Sequence, residues 1–409
     1  MYKQGRFKSE AIFEGNAKWE KSIERLSPLY QREDDFRSIF FRDYNRILHC
    51  KAYRRLKHKT QVFFATKNDH ICTRMEHVTH VASVSETVSN FLGLNTDLTR
   101  AIALGHDLGH APFGHKGELI LKNLLKKHLN ETFWHEQNSL FFVDKLETLP
   151  DQSGRKRNLN LTYAVRDGII SHCGEVNENA IRPRDEAIDL YSIEKPNEYA
   201  PYTWEGCVVK ISDKISYLGR DIEDAITLKI LTRNQLKELK QIIEKVGHEN
   251  IREINNTVLM HDFIKNLLAM SSPDEGIRFS DDYLELINSV KSFNYKYIYN
   301  HPRLIYFHSY AELIITSIFN LLADLFTKEQ TPEEVFKLKE IYPSLGDTFY
   351  EWLIDYADAD FDQKSLYRTE NNNVYNMALY SDYLKCIIAY ISSMTDTFAI
   401  NVFNEITKF

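Results

Sequence analysis

The chain has 409 residues, of which 43% are hydrophobic, 12% aromatic and 27% charged, with only 15 glycines and 10 prolines. Those proportions describe a large globular protein with ample core. They exclude a disordered tail protein, a collagen-like fibre and a small disulfide scaffold, and the scarcity of turn residues favours helices over hairpins. A net charge of -7 gives the molecule as a whole no attraction to nucleic acid or anionic lipid.

From the N-terminus, residues 1–20 carry scattered charges and no apolar h-region, and no later stretch approaches ~18 uncharged apolar residues. Cys50, Cys72, Cys173, Cys207 and Cys386 form no CxxC pair and are odd in number, which is poor material for a disulfide framework or a structural zinc site. The expectation is a soluble cytoplasmic protein with reduced thiols and no membrane partner. Between residues 42 and 59, Arg42, Arg46, Lys51, Arg54, Arg55, Lys57 and Lys59 stand against Asp43 alone. Such a stretch suits a phosphate-bearing partner or a solvated helix face, and charge alone leaves both open.

Helical periodicity follows over residues 76–92. At 100° per residue, positions 77, 81, 84, 88 and 91 fall within about 40° of one another, so His77 shares a stripe with Val81, Val84, Val88 and Phe91. An imidazole in an apolar stripe must be hydrogen-bonded or ligated, and a satisfied core histidine is the plainer of the two readings. The next segment is more unusual. His106, His110 and His115 with Asp107 and Glu118 are separated by glycines and a proline between two apolar helices, a polar turn that stability alone would not select. His106 and Asp107 can give one nitrogen and one oxygen to a borderline divalent cation, His77 a second nitrogen, and Asp213, after an apolar run, the further carboxylate that neutralises the ion.

Further helices are expected over residues 116–129, 310–326 and 383–407, with breaks at 151–160, 195–202 and 271–282 where polar, proline and glycine residues cluster. Residues 208–211 fit a short strand or a buried helix turn equally well. Nearly all the unusual polar chemistry lies in residues 1–230, and residues 231–409 read as helical packing material.

Several segments together resemble the HD-domain deoxynucleoside triphosphate triphosphohydrolases, the dGTPase-like group. They are Arg54-Arg55-Leu56, Lys59-Thr60-Gln61-Val62-Phe63, Arg74-Met75-Glu76-His77, the run from His106 to Glu118, and Tyr390-Ile391-Ser392-Ser393-Met394-Thr395-Asp396. The resemblance implies an all-α fold, an HD-domain helical bundle over residues 1–230 with additional C-terminal helices over 231–409. It implies one divalent metal ion, Mg, Mn or another transition metal, on His77, His106, Asp107 and Asp213. His115 and Glu118 match a catalytic histidine and its carboxylate, and His135 a further histidine of the reaction centre. Arg74, His110, Lys214 and Tyr217 match triphosphate-holding positions, and Gln61, Val62 and Asp221 match sugar contacts. The implied reaction takes a dNTP to deoxynucleoside and inorganic triphosphate in a homo-oligomer, and leaves open a regulatory dNTP or single-stranded nucleic acid as a further partner. Glu76 in place of a common Thr, and Ser392-Ser393 in place of a Ser/Ala-Gly pair, depart from the pattern and bear on base preference.

The residues support the same chemistry physically. Hydrolysis at an α-phosphorus needs cations to absorb triphosphate charge, which Arg74 and Lys214 supply, and an acid for the departing 5'-oxygen. His115, three residues before Glu118, lies on the same side of a helical turn and can be oriented by that carboxylate. Glu118 as a mere helix cap, His135 as a core histidine and Asp221 as half of a surface ion pair remain the alternatives. At the level of function, the alternatives are another HD phosphohydrolase, acting on a nucleoside monophosphate or a signalling nucleotide, and an HD-scaffold nucleic-acid-binding or regulatory protein.

Overall fold

The computed structural model describes residues 4–29, 35–64, 68–173, 179–245, 256–358, 371 and 373–408, and helices make up almost all of its regular structure. In chain order these are α1 (Trp19–Ile23), α2 (Ile39–His49), α3 (Lys51–Arg55), α4 (Arg74–Leu92), α5 (Thr96–Gly105), α6 (Gly114–Leu129), α7 (His135–Phe141), α8 (Tyr163–Ile170), α9 (Trp204–Thr227), α10 (Arg233–Glu244), α11 (Asn256–Met270), α12 (Asp281–Asn294), α13 (Pro302–Ala323), α14 (Thr331–Ile341), α15 (Pro343–Tyr356), α16 (Tyr380–Ser393) and α17 (Asp396–Thr407). The described strands form an antiparallel hairpin, β1 (Thr148–Pro150) with β2 (Lys156–Asn158), and a parallel pair, β3 (Ala357–Asp358) with β4 (Tyr375–Asn376). The fold is all-α, as expected. The chain folds into two compact units, each assembled from segments distant in sequence. The first is Met1–Asn45, Thr66–His106 and Leu161–Tyr306, and the second is Arg46–Ala65, Asp107–Asn160 and Phe307–Phe409.

In the first unit α4 lies against α5 and α9, α5 also meets α8, and α11 and α12 pack on α9. Thr73 starts α4 with a reciprocal cap: its hydroxyl accepts the Glu76 N–H at 3.3 Å, and the Glu76 carboxylate accepts the Thr73 N–H at 2.8 Å. Glu76, a departure from the family pattern, is thus a helix-starting residue here. The expected stripe is buried at His77, Val81, Val84 and Val88, each valine contributing roughly 1.5–3 kcal/mol, while Phe91 is only half-buried. Residues 208–211 are helical within α9 and buried on every side, so no strand forms there. α9 starts where the break at 195–202 ends, with the Thr203 hydroxyl accepting the Gly206 N–H at 3.0 Å.

In the second unit α6 packs on α16, α14 on α15, and α15 on α17. The sequence pattern predicts a single helix over residues 383–407. Two are found, with axes 117° apart. Met394 and Thr395 adopt extended dihedrals, and the Thr395 hydroxyl restarts the helix by accepting the Phe398 N–H at 3.1 Å. The break at 151–160 is the β1–β2 hairpin, pairing Leu149 with Arg157. Helix α13 starts eight residues before the expected 310, at Pro302, whose fixed φ suits a first turn. It has the length and hydropathy of a membrane span; it carries Arg303, His308 and Glu312, buries Ala311, Ile314, Ile315, Ile318, Phe319 and Leu322, and leaves Ile305, Tyr306 and Leu313 exposed. All five cysteines are buried free thiols.

One buried acid makes the first unit's stability depend on pH. Glu205, at the start of α9, accepts the N–H groups of Ile12 and Asn95, each at 3.0 Å, and its Oε2 has no hydrogen-bond partner. Burial raises its pKa to about 7 against the pull of those two bonds. The folded chain therefore holds the proton more tightly than the unfolded one, and the stability this adds is lost as pH rises from the ordinary carboxylate range to about 7. Urea unfolding of Glu205→Gln should fall less steeply over that window than the wild type, by up to about 3 kcal/mol. Parallel curves for the two proteins would show that Glu205 titrates normally.

Candidate active site

Three helices of the first unit bring His77, His106 and Asp213 together. His77 lies in the first turns of α4, His106 follows the last residue of α5, and Asp213 projects from the middle of α9. One oxygen of Asp213, Oδ1, lies 3.0 Å from His77 Nε2 and 3.8 Å from His106 Nε2. His106 Nδ1 donates to the Ala103 carbonyl at 2.7 Å, which fixes the tautomer and presents Nε2 as a lone pair. Burial would raise the Asp213 carboxyl, but the His77 bond and the nearby His106, His77 and His172 rings hold it at about 2. Two imidazole nitrogens and an ionised carboxylate oxygen within 4.8 Å of one another fit a borderline divalent cation. Asp107, the other expected ligand, is the next residue after His106 and opens the second unit.

Sequence reasoning misses His172. It follows α8, is buried, donates Nδ1 to the Ile169 carbonyl at 2.6 Å, and its ring centroid is 4.8 Å from that of His106. A lone histidine at the end of an apolar helix gives no sequence signal that separates it from a core residue.

The second unit builds a different cluster, around Glu118. Phe113 and Gly114 take left-handed backbone, with φ of +62° and +60°, and α6 begins there, placing His115 and Glu118 on its first turn. Glu118 Oε2 lies 3.2 Å from Nδ1 of His115 and 3.2 Å from Nδ1 of His135. Glu118 Oε1 accepts the His135 backbone N–H at 2.9 Å. Glu118 therefore does satisfy a helix N-terminus, but that of α7 rather than of its own helix. Asp107 Oδ1 lies 3.8 Å from His135 Nε2, Glu136 Oε2 lies 3.4 Å from its Nδ1, and the His110 ring is 4.8 Å away. Burial favours neutral His135, but Glu136, Glu118 and Asp107 outweigh it and lift the imidazole to about 10. Glu118, though half-buried, is held well below the ordinary carboxylate range by His135 and His115. Gly109 ties the turn to α7, donating its N–H to Ser139 Oγ at 3.0 Å, and a Cβ there would lie 2.3 Å from the Ser139 nitrogen.

The remaining expected residues divide between the units. Arg74 and Lys214 are buried in the first, and Asp213, Tyr217 and Asp221 recur every four residues along one face of α9. Asp221 accepts the Tyr299 hydroxyl at 2.5 Å, so it is no surface ion pair. Burial lifts it to about 7 against that bond and the charges of His77 and Arg74. Tyr299 ends a π-helical turn, Tyr295–Tyr299, which sequence periodicity does not reveal. Gln61 and Val62 are half-buried in the second unit, and Gln61 Oε1 is fully buried with no hydrogen-bond partner. The basic stretch is largely internal. Arg42 pairs with Asp35 at 3.2 Å, Arg55 with Glu147 at 2.7 Å, Arg46 donates to the Asn158 carbonyl at 2.8 Å, and buried Lys59 donates to the Ser392 carbonyl at 2.8 Å. Lys51, Arg54 and Lys57 are its exposed cations.

The HD domain family matches residues 74–218, the span that contains both clusters. A deoxyguanosinetriphosphate triphosphohydrolase-like protein of Caldanaerobacter subterraneus subsp. tengcongensis is 36% identical over 308 residues, 75% of this chain and 78% of its own. One of Desulfatibacillum aliphaticivorans is 36% identical over 310 residues, covering 74% and 80%, and one of Clostridium tetani is 31% identical over 353 residues, covering 86% and 90%. The chain belongs to the deoxyguanosinetriphosphate triphosphohydrolase-like family of HD-domain proteins. Membership makes it a phosphohydrolase of the metal-dependent HD class, and His77, His106 and Asp213 on α4, α5 and α9 could hold a metal ion. The charge state of this family member's second cluster is directly measurable. In chelator-treated Glu118→Gln, histidine-selective NMR should show the His135 pKa falling from about 10 toward the ordinary imidazole range. An unmoved titration would mean that Glu136 and Asp107 suffice to hold the proton.

Proposed function

We propose that the protein hydrolyses deoxynucleoside triphosphates, dGTP or dNTPs in general, to deoxynucleoside and inorganic triphosphate. The observation that carries this reading is the Glu118 carboxylate joined to both His115 and His135, in a matched HD span that also holds the His77, His106 and Asp213 donor set. The name its relatives carry supports a nucleoside triphosphate as substrate.

His77, His106, Asp107 and Asp213 would hold a divalent ion, which when bound supplies Lewis-acid polarisation of a phosphoryl oxygen and acidifies a water. Arg74 and Lys214 neutralise triphosphate charge, the first as a planar fork and the second as a point donor, and Tyr217 and His110 are assigned to the same task. His115 directs Nδ1–H to Glu118, so its Nε2–H is the proton available to the departing 5'-oxygen. After transfer the neutral ring keeps its Nδ1–H bond to Glu118; Nε2 regains a proton from solvent water, and the ionised carboxylate favours the imidazolium that results. His135, held protonated by its three carboxylates, acts as a fixed positive charge facing the anionic substrate rather than as a proton carrier. The unmatched Gln61 Oε1 is suited to accept a sugar hydroxyl, and Asp221, poised near neutrality, can accept or donate to one, while Val62 packs against the sugar ring.

Incubation of the purified protein with each dNTP and NTP plus Mg or Mn, followed by product separation, should yield deoxynucleoside and intact triphosphate. A yield of dNMP and pyrophosphate would overturn the reading, because a different bond would have been cut. His115→Ala should lower kcat by ~10²–10⁴-fold with substrate Kd little changed. Gln61→Ala should reduce the preference for dNTP over 2',3'-dideoxy-NTP, since a hydrogen-bonding site penalises a missing hydroxyl; an unchanged preference would remove Gln61 from the sugar contacts.

A further inference from the structure

The sequence marks out Met394-Thr395-Asp396 without giving it a role. Thr395 already caps α17, so the Asp396 side chain is not needed for that purpose. It is 3% exposed, and its oxygens take three hydrogen bonds from two other segments of the second unit. Oδ2 accepts the Thr60 N–H at 3.0 Å and the Thr60 hydroxyl at 2.5 Å, and Oδ1 accepts the Phe113 N–H at 2.9 Å.

Both segments lead directly to groups of the proposed chemistry. Thr60 precedes Gln61, and Phe113 lies two residues before His115. Phe113 is fully buried in left-handed backbone, a conformation that costs a bulky residue on the order of 1–3 kcal/mol and persists only where its surroundings impose it. Gly114 continues that turn at φ +60°, and a Cβ on it would lie 3.3 Å from the Gln61 carbonyl oxygen, so the two segments touch where Asp396 joins them. Lys59 closes the same junction with the opposite charge, its buried ammonium donating to the His110 and Ser392 carbonyls.

We propose that Asp396 is a positioning residue whose one carboxylate sets Gln61 and His115 in place together, so that reading of the sugar and protonation of the leaving oxygen are coupled through it. The role presupposes the dNTP triphosphohydrolase reading. In Asp396→Asn the side chain keeps its size, but an NH2 group must face either the Thr60 or the Phe113 donor, and one arm is lost. Thr60→Val removes only the hydroxyl bond.

The test compares wild type, Asp396→Asn and Thr60→Val after circular dichroism and metal analysis show equal folding and metal content. Asp396→Asn should lose kcat by ~10²-fold, because small misplacements of reacting groups are that costly, and its preference for dNTP over 2',3'-dideoxy-NTP should fall as well. Thr60→Val should lower the same preference with kcat within about threefold of wild type. A merely structural role would shrink the active fraction and leave KM and the preference ratio where they were, and that outcome, or wild-type kcat and ratio in both variants, would overturn the proposal. Histidine-selective NMR needs no turnover: a His115 ring resonance displaced in Asp396→Asn supports the placement, and an unmoved one refutes it. A wild type that releases no triphosphate would instead remove the functional reading, with the NMR result still deciding the role of Asp396.

Discussion

The chemistry of this protein depends on how its imidazoles are anchored. His106 and His172 each direct Nδ1 to a backbone carbonyl three residues earlier, at 2.7 and 2.6 Å, and His115 and His135 direct theirs to the carboxylate of Glu118. A carbonyl or an ionised carboxylate can only accept, so the N–H must sit on Nδ1. Nε2 is then the nitrogen presented onward, as a lone pair for ligation or as N–H for proton transfer. Within the His77, His106 and Asp213 cluster, His77 differs, since its Nε2 meets Asp213 directly. Fixing each ring through one nitrogen removes both rotational and tautomeric freedom before any ligand arrives.

The carboxylates divide by what faces them. Burial pushes all of them toward the neutral form. Asp213 and Glu118 each face more than one imidazole, and Asp213 is carried down to about 2 and Glu118 well below the ordinary range. Asp221, bonded to the Tyr299 phenol and with His77, Asp224 and Arg74 as its charged neighbours, is lifted by burial to about 7. A chain of ordinary acids thus holds two ionised anchors and a third acid able to gain or lose a proton near neutrality, with the neighbours rather than the residue type deciding which.

Neither unit is continuous in sequence, and the second depends on interactions across nearly the whole chain. Thr60 and Lys59 reach residues of 392–396, while Arg55 reaches Glu147 and Lys156 reaches Asp355. Arg46, Arg55 and Lys59 of the basic stretch are used this way, so part of a cluster suggestive of an anionic partner serves internal structure, while Lys51, Arg54 and Lys57 stay exposed.

The sequence by itself determined the all-α class, the His77 stripe and the identity of the polar turn from His106 to Glu118. Each rests on local periodicity or on residue types that folding alone would not select, and neither kind of signal needs knowledge of distant neighbours. It also paired His115 with Glu118, because three residues on a helix is a local spacing. The tertiary structure alone decided that Glu118 serves two histidines and the start of α7, that Tyr299 bonds Asp221, and that His172 joins His106. It also broke the expected helix over 383–407 at Thr395, turning Asp396 toward Thr60 and Phe113. Those partners lie tens to hundreds of residues apart, and a local pattern holds no information about which buried donor will meet which buried acceptor once the chain has closed on itself.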